Sequence, residues 1–279
     1  MKPTKLMLLL AGALCIPATI LAQTPTGPAA SGLVFFDFGR NDGGINGAPV
    51  ANPATPLGGT GNFYWNSIGS SLQGQVAGSL YNNFVATDNT SLGGWSITIA
   101  GPNNQANGFA SGGLASFATG GTSAAQNPDY SLLGDFAVAN ATGDYFFTTT
   151  SGAFVLGGLN PSLTYNFTFF GSRNTSGNRT TTYSATGVSG TATTSALTTS
   201  GTGVGTGGYA GNNNTTVSLL GIVPDSGGNI NLAYNAASGG FGYLNAMSIE
   251  IVPEPSSLAL FGLGFAGLIV VRRLRHMPE

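Results

Sequence analysis

The sequence predicts an all-β domain, an antiparallel β-sandwich or jelly roll, and three observations carry that prediction. Short runs of β-branched and aromatic residues alternate with polar ones at the two-residue period of a half-buried strand. Gly, Asn and Pro interrupt those runs, with 45 glycines and no three-residue collagen period. Between the two ends of the chain there is no amphipathic helix of credible length.

In chain order, residues 1–22 read as a secretory signal. Lys2 and Lys5 supply a positive start, Leu6 to Ile20 is apolar, and Ile20-Leu21-Ala22 offers a small residue for cleavage after Ala22. Leu14 precedes the lone Cys15, which argues against lipoprotein processing there. The competing reading is an uncleaved anchor, for which the apolar run is short. Residues 23–31 have linker composition, and the domain is placed at 32–251.

Nine runs are expected as strands: 33–38, 95–99, 145–149, 153–156, 165–170, 180–183, 216–220, 230–234 and 243–251. Tyr165, Phe167 and Phe169 share one face while Asn166 and Thr168 take the other; Ile230, Leu232 and Tyr234, and Trp95, Ile97 and Ile99, repeat the pattern. The polar, small-residue stretches 101–127 and 184–214 read as extended loops, the second with room for an irregular edge strand.

At the C-terminal end, Val252-Pro253-Glu254-Pro255 leads into an apolar run, residues 256–271, and then Arg272-Arg273-Leu274-Arg275. Pro253 and Pro255 disfavour helix and strand around Glu254, leaving an extended peptide that an enzyme can grip. The 16 residues of the apolar run rise about 24 Å as a helix, short of the roughly 30 Å hydrocarbon core, so Leu274 and snorkelling arginines must complete a span. The positive-inside rule puts Arg272, Arg273 and Arg275 in the cytoplasm and residues 23–255 outside.

Composition excludes several functions. Only 6% of residues are charged, against about 25% on average, yet 17 Phe and 9 Tyr suffice for a core. Between residues 23 and 251 three arginines face eight carboxylates, a net of −5, so no basic patch exists to hold phosphates and nucleic-acid binding is not expected. The only cysteine, Cys15, and the only histidine, His276, lie in the terminal segments. A doubly trimmed product lacks both, which removes disulfides, Cys or His zinc sites, Cys nucleophiles and Ser-His-Asp triads.

Three chemistries remain for the domain. Asp42 in Gly39-Arg-Asn-Asp-Gly-Gly44 and Asp88 beside Asn89 are candidate calcium ligands in turn-rich segments, without EF-hand spacing; Asp and Asn are equally ordinary turn residues. Trp65, Asn66, Arg173, Arg179 and Tyr183 are candidate glycan contacts, because aromatic faces stack on pyranose rings while Asn and Arg bond hydroxyls. In so β-rich a chain Trp65 and Trp95 also suit the core, and Arg173 and Arg179 also suit loop clamps with Asp225 or Asp135. A carboxylate-only hydrolase needs an acid pair, which no spacing nominates, so no catalytic residue is expected.

The Pro-Glu-Pro motif, the short Gly-containing apolar run and the terminal Arg cluster, in that order over residues 252–275, resemble the PEP-CTERM sorting signal of Gram-negative bacteria. The resemblance implies recognition by an exosortase after passage through the secretion machinery and a transient stay in the inner membrane. It further implies delivery to the cell surface or extracellular matrix with exopolysaccharide and biofilm. His276 to Glu279 trail the arginines, a small departure; the competing reading is a single-pass anchor that is never cut. A weaker resemblance rests on Gly158-Leu-Asn-Pro161, residues 165–173, Asn178-Arg-Thr-Thr-Thr-Tyr183, Val223-Pro-Asp225 with Gly228, and residues 242–249. These are similar to the extracellular sandwich modules of such proteins, which are similar in turn to galactose-binding-like jelly rolls. The leading expectation is a non-catalytic surface or matrix protein; the alternatives are a calcium-assisted carbohydrate-binding module and a secreted hydrolase.

Overall fold

The computed structural model describes residues 32–40, 49–51, 63–70, 77–100, 108–111 and 131–252. The expected leader with Ala22, the expected linker, Asp42, and the C-terminal segment with Pro253, Glu254, Pro255, Arg272, Arg273 and Arg275 lie outside them. Among the described residues no helix is long and apolar enough to cross a membrane.

Strands dominate, as the alternation predicts. In chain order they are β1 (Leu33–Arg40), β2 (Pro49–Ala51), β3 (Tyr64–Ser70), β4 (Leu80–Asn82), β5 (Ser96–Ile99), β6 (Gly108–Ser111), β7 (Asp144–Thr148) and β8 (Ser151–Gly157). They continue with β9 (Thr164–Phe170), β10 (Arg179–Thr186), β11 (Thr193–Ser200), β12 (Val217–Ile222), β13 (Ile230–Ser238), β14 (Gly242–Leu244) and β15 (Ala246–Val252). One six-stranded sheet runs β12-β9-β15-β1-β3-β2, a second runs β11-β10-β13-β8-β5-β4, and a three-stranded sheet runs β14-β7-β6.

The two large sheets make a sandwich because each sends its apolar alternate residues inward. Phe36, Phe38, Phe167, Phe169, Met247 and Ile249 from the first sheet share one buried cluster with Ile97, Phe154, Leu156, Tyr183, Leu232 and Tyr234 from the second. Rings meet across the interface: Phe169 stacks on Tyr183 with centroids 4.7 Å apart, and Phe38 tilts onto Phe154 at 5.4 Å. Aromatic pairs at such spacings add about 0.5–1.5 kcal/mol beyond their buried area.

The sheets are not wholly antiparallel, which corrects the expectation. β1 pairs in parallel with β3, Phe35 opposite Trp65 and Asp37 opposite Ser67. A parallel partner requires a crossover of about a dozen residues or more, and the chain between Arg40 and Tyr64 is long enough to make it. Within the stretch 184–214, where the sequence left room for an irregular edge strand, β11 is an edge strand of eight residues paired to β10 with one register shift. Among the described residues the helical segments are a 3-10 stretch, Ser131–Phe136, and a single α-turn, Ala139–Thr142. Their side chains Leu133 and Phe136 join Phe35, Trp65, Phe170 and Tyr209 in a second buried cluster on the other face of the first sheet.

Candidate functional site

The structure separates the five candidate glycan contacts into core residues and a surface pair. Trp65 is 3% exposed, stacked on Phe35 at 4.5 Å and edge-on to Phe136 at 6.1 Å. No face of its indole is left for a sugar, so the expectation of a stacking platform at Trp65 is corrected. Asn66 is equally buried, and its amide is consumed by backbone groups: Nδ2 donates to the carbonyls of Phe35 (3.0 Å) and Val85 (2.8 Å), and Oδ1 accepts from the Val85 N–H (2.8 Å). Tyr183 is wholly buried, and its hydroxyl donates to the Tyr243 carbonyl at 2.5 Å. Trp65 and Asn66 are neighbours in β3, which is covered on both faces there, whereas Tyr183 takes the inward face of β10, whose alternate residues are only partly covered.

Arg173 and Arg179 are brought together. Arg179 opens β10, and Arg173 follows β9 on a loop pinned by its own N–H to the Thr199 carbonyl at 3.2 Å. Both are half-buried. Burial, and then the nearby charge of Arg173, pull the Arg179 pKa below the usual arginine value. Both guanidinium groups lie against aromatic residues. Arg179 lies over the Phe241 ring, 4.4 Å from its centroid, and 5.5 Å from that of Tyr243. Arg173 lies 5.5 Å from the Tyr145 centroid and donates to the Tyr145 hydroxyl. Asp225 is engaged in its own turn, its Oδ1 accepting from the N–H groups of Gly227 (2.8 Å) and Asn229 (2.9 Å).

Local geometry fixes this cluster. β14 pairs with β7, Tyr243 opposite Phe147, so the Tyr145 and Tyr243 rings meet edge to face at 5.0 Å. The Tyr243 backbone is held at both ends, its N–H donating to Thr181 Oγ1 (2.8 Å) and its carbonyl accepting from Tyr183. Gly239 and Gly240 carry consecutive positive φ angles of 71° and 74°. A Cβ at Gly239 meets the Asn178 carbonyl and comes within 2.8 Å of Arg179 Cγ, so only glycine lets the turn lie against the arginine stem. Phe241 stacks on Tyr243 at 6.4 Å and 9° and remains half-exposed. The Tyr243 hydroxyl is buried and has no hydrogen-bond partner.

Beside Arg173, Tyr209 bonds its hydroxyl to Ser172 Oγ at 3.3 Å. Burial pushes that phenol up to about 12, with the Ser172 bond and the Arg173 charge opposing the shift. Tyr145, Tyr243 and Phe241 therefore belong to the site that the arginines announce. In the sequence they read only as strand residues, because nothing in local spacing links position 145 to position 243.

Of the two acidic candidates only Asp88 falls within the described residues. Asp88 is exposed and turns its Oδ1 to the Thr90 N–H at 2.9 Å, a bond that holds its carboxyl below the ordinary aspartate range. Asn89, with φ of 71°, completes that turn. Among the described residues no group of three or more His, Cys, Asp or Glu is placed to hold a metal ion.

Residues 252–275 match the family model described as the PEP-CTERM protein-sorting motif. The matched segment begins on the last residue of β15, and β15 is an interior strand of its sheet, between β9 and β1. No curated protein matches the chain. Among solved structures, TmCBM61 in complex with beta-1,4-galactotriose is similar at 11% identity and a TM-score of 0.25, over 38% of this chain and 70% of that one. A CBM35 from Cellvibrio japonicus is similar at 12% identity and a TM-score of 0.21, over 72% and 92%. The endo-1,4-beta-D-xylanase 10B modules of Clostridium thermocellum, complexed with xylohexaose, are similar at 17% identity and a TM-score of 0.26, over 40% and 22%, so the chain spans under a quarter of that protein. Likenesses this slight fix neither fold nor ligand.

Proposed function

We propose that the chain is an exported, non-catalytic surface or matrix protein, processed by an exosortase near Pro253-Glu254-Pro255, whose extracellular sandwich contacts exopolysaccharide. The observation that carries this reading is the sorting motif at residues 252–275 and its position against the fold. β15 ends at Val252, paired with Thr164 inside the sheet. A cut in the Pro-Glu-Pro peptide then releases a sandwich with all its described strands, while a cut further upstream would remove an interior strand.

Polysaccharide contact is supported by the arginine and aromatic cluster, which offers N–H donors and a half-exposed Phe241 ring at the surface. The non-catalytic reading rests on residue types, since the domain contains no histidine or cysteine.

Mass spectrometry of the mature protein from its host tests the sorting part, expecting an N-terminus at Gln23 and a C-terminus within or just after residues 253–255. A Glu254→Gln chain, or one lacking 256–271, should accumulate unprocessed or mislocalised. Recovery of the native chain in the cytosol with Met1 and Glu279 intact overturns the proposal.

A further inference from the structure

Resting on that reading and deepening it, we propose that Arg173 and Arg179 seat a carboxylate-bearing sugar, so that the glycan this domain contacts is an acidic polysaccharide built on uronic acids. The charge pattern is the starting point. Between residues 23 and 251 the chain carries no lysine and three arginines. Two of those three lie over neighbouring rings, Arg173 over Tyr145 and Arg179 over Tyr243, whose centroids are 5.0 Å apart. Holding like charges together and partly out of water opposes folding, unless an anion offsets the repulsion when it binds.

Among the described residues the side-chain contacts of the two arginines are with aromatic residues and not with a carboxylate. A cation over a ring engages the diffuse negative face of the aromatic, and this leaves the N–H fork of Arg179 for another acceptor. Arg173 uses one N–H on the Tyr145 hydroxyl. A site rich in unmatched donors suits a ligand group that only accepts, and a planar carboxylate meets a guanidinium fork through two parallel bonds.

The half-exposed Phe241 ring, backed by Tyr243, adds an apolar platform beside the arginines for the C–H face of a pyranose. That platform, in a domain whose net charge is −5, favours a sugar acid over a nucleic-acid phosphate, which calls for a broad basic surface.

The test titrates the full chain in detergent with oligogalacturonate, with its methyl ester of the same backbone, and with single-stranded DNA of matched charge. Binding of the acid, at least about tenfold tighter than of the ester and weakened by added salt, is expected. Arg173→Gln and Arg179→Gln should each weaken it on the order of tenfold, with melting midpoints recorded to establish that the variants fold. Equal binding of acid and ester, stronger binding of DNA, or undiminished binding by the folded double variant each overturns the proposal and leaves glycan contact in general standing. No binding of either glycan overturns this proposal together with the polysaccharide reading, whereas the acid and ester comparison on the unaltered chain needs no variant.

Discussion

Asn66 grips the backbone of Val85 with both ends of its amide, Oδ1 accepting from the N–H and Nδ2 donating to the carbonyl, each at 2.8 Å. The pair joins β3 to a segment that carries the isolated bridge from Val85 to Ser91 and exchanges backbone bonds with Tyr64 and Leu33 through Thr87. The same Nδ2 also holds the Phe35 carbonyl of β1. Truncation therefore strands several buried backbone groups at once, each costing about 1–3 kcal/mol. Asn66→Ala is expected to lower the unfolding free energy by about 3 kcal/mol, read as a shifted midpoint in urea at unchanged slope. A loss under about 1 kcal/mol would show that water replaces the amide.

Alkaline pH should unfold the domain. Burial raises the phenols of Tyr165, Tyr183 and Tyr234, and brings Tyr209 to about 12, against 10.0 for an exposed tyrosine. The unfolded chain loses these protons first, so the native state binds more of them. The stability they contribute is complete below pH 10.0 and is lost as pH climbs toward about 12. Tyrosinate absorbance followed beside circular dichroism should show buried phenols ionising together with unfolding. Ionisation of every tyrosine near the ordinary value, with the fold intact, would contradict the burial.

These two cases show what the sequence discloses and what it hides. The strong alternation of 165–170 and 230–234 reports strands covered on one face by a core, and both form where the pattern puts them. β11, for which the sequence left room only as an irregular edge strand, is faint because its buried positions include Thr199 and Ser200, so its alternation is written in hydroxyls. The parallel pairing of β1 with β3 escapes because register across a crossover leaves no local trace. For the site, scarcity of charge singles out Arg173 and Arg179. The aromatic signal points elsewhere: Trp65 and Tyr183 have the residue types that stack on sugars, and also the types that fill a sandwich, and burial decides for the second. The rings that meet the arginines come from positions 145, 241 and 243, united only by the β7–β14 pairing.

Gly158 is a point where backbone shape and space coincide. Its φ is 76°, and a Cβ there collides with the carbonyl of Gly94 just before Trp95. Gly190 has a similar φ of 67° with nothing within 4 Å. Gly190→Ala meets only the left-handed strain, about 1–2 kcal/mol. Gly158→Ala adds displacement of the turn that carries Trp95, which packs edge-on to Tyr165 at 5.9 Å. It should cost at least about 1 kcal/mol more than Gly190→Ala, with a changed tryptophan emission that Gly190→Ala lacks. Equal losses at the two sites would mean that the Gly94 turn moves freely.

Tyr183 and Thr181, two residues apart on β10, hold the carbonyl and the N–H of Tyr243. Tyr183→Phe and Thr181→Val each keep the side-chain shape and leave one of those backbone groups without its partner, at about 1–3 kcal/mol apiece. Both bonds fix the same residue of β14, one through each of its flanking peptides, so releasing the first lets the strand relax and makes the second loss smaller. A double-mutant cycle should therefore give a coupling of at least about 0.5 kcal/mol, the double variant being more stable than additivity demands. The Tyr243 ring also lies beneath Arg179, so each single variant should loosen that arginine even though neither touches it. Strict additivity, with an unchanged Arg179 environment by side-chain NMR, would place the anchoring of Tyr243 in its pairing with Phe147 alone.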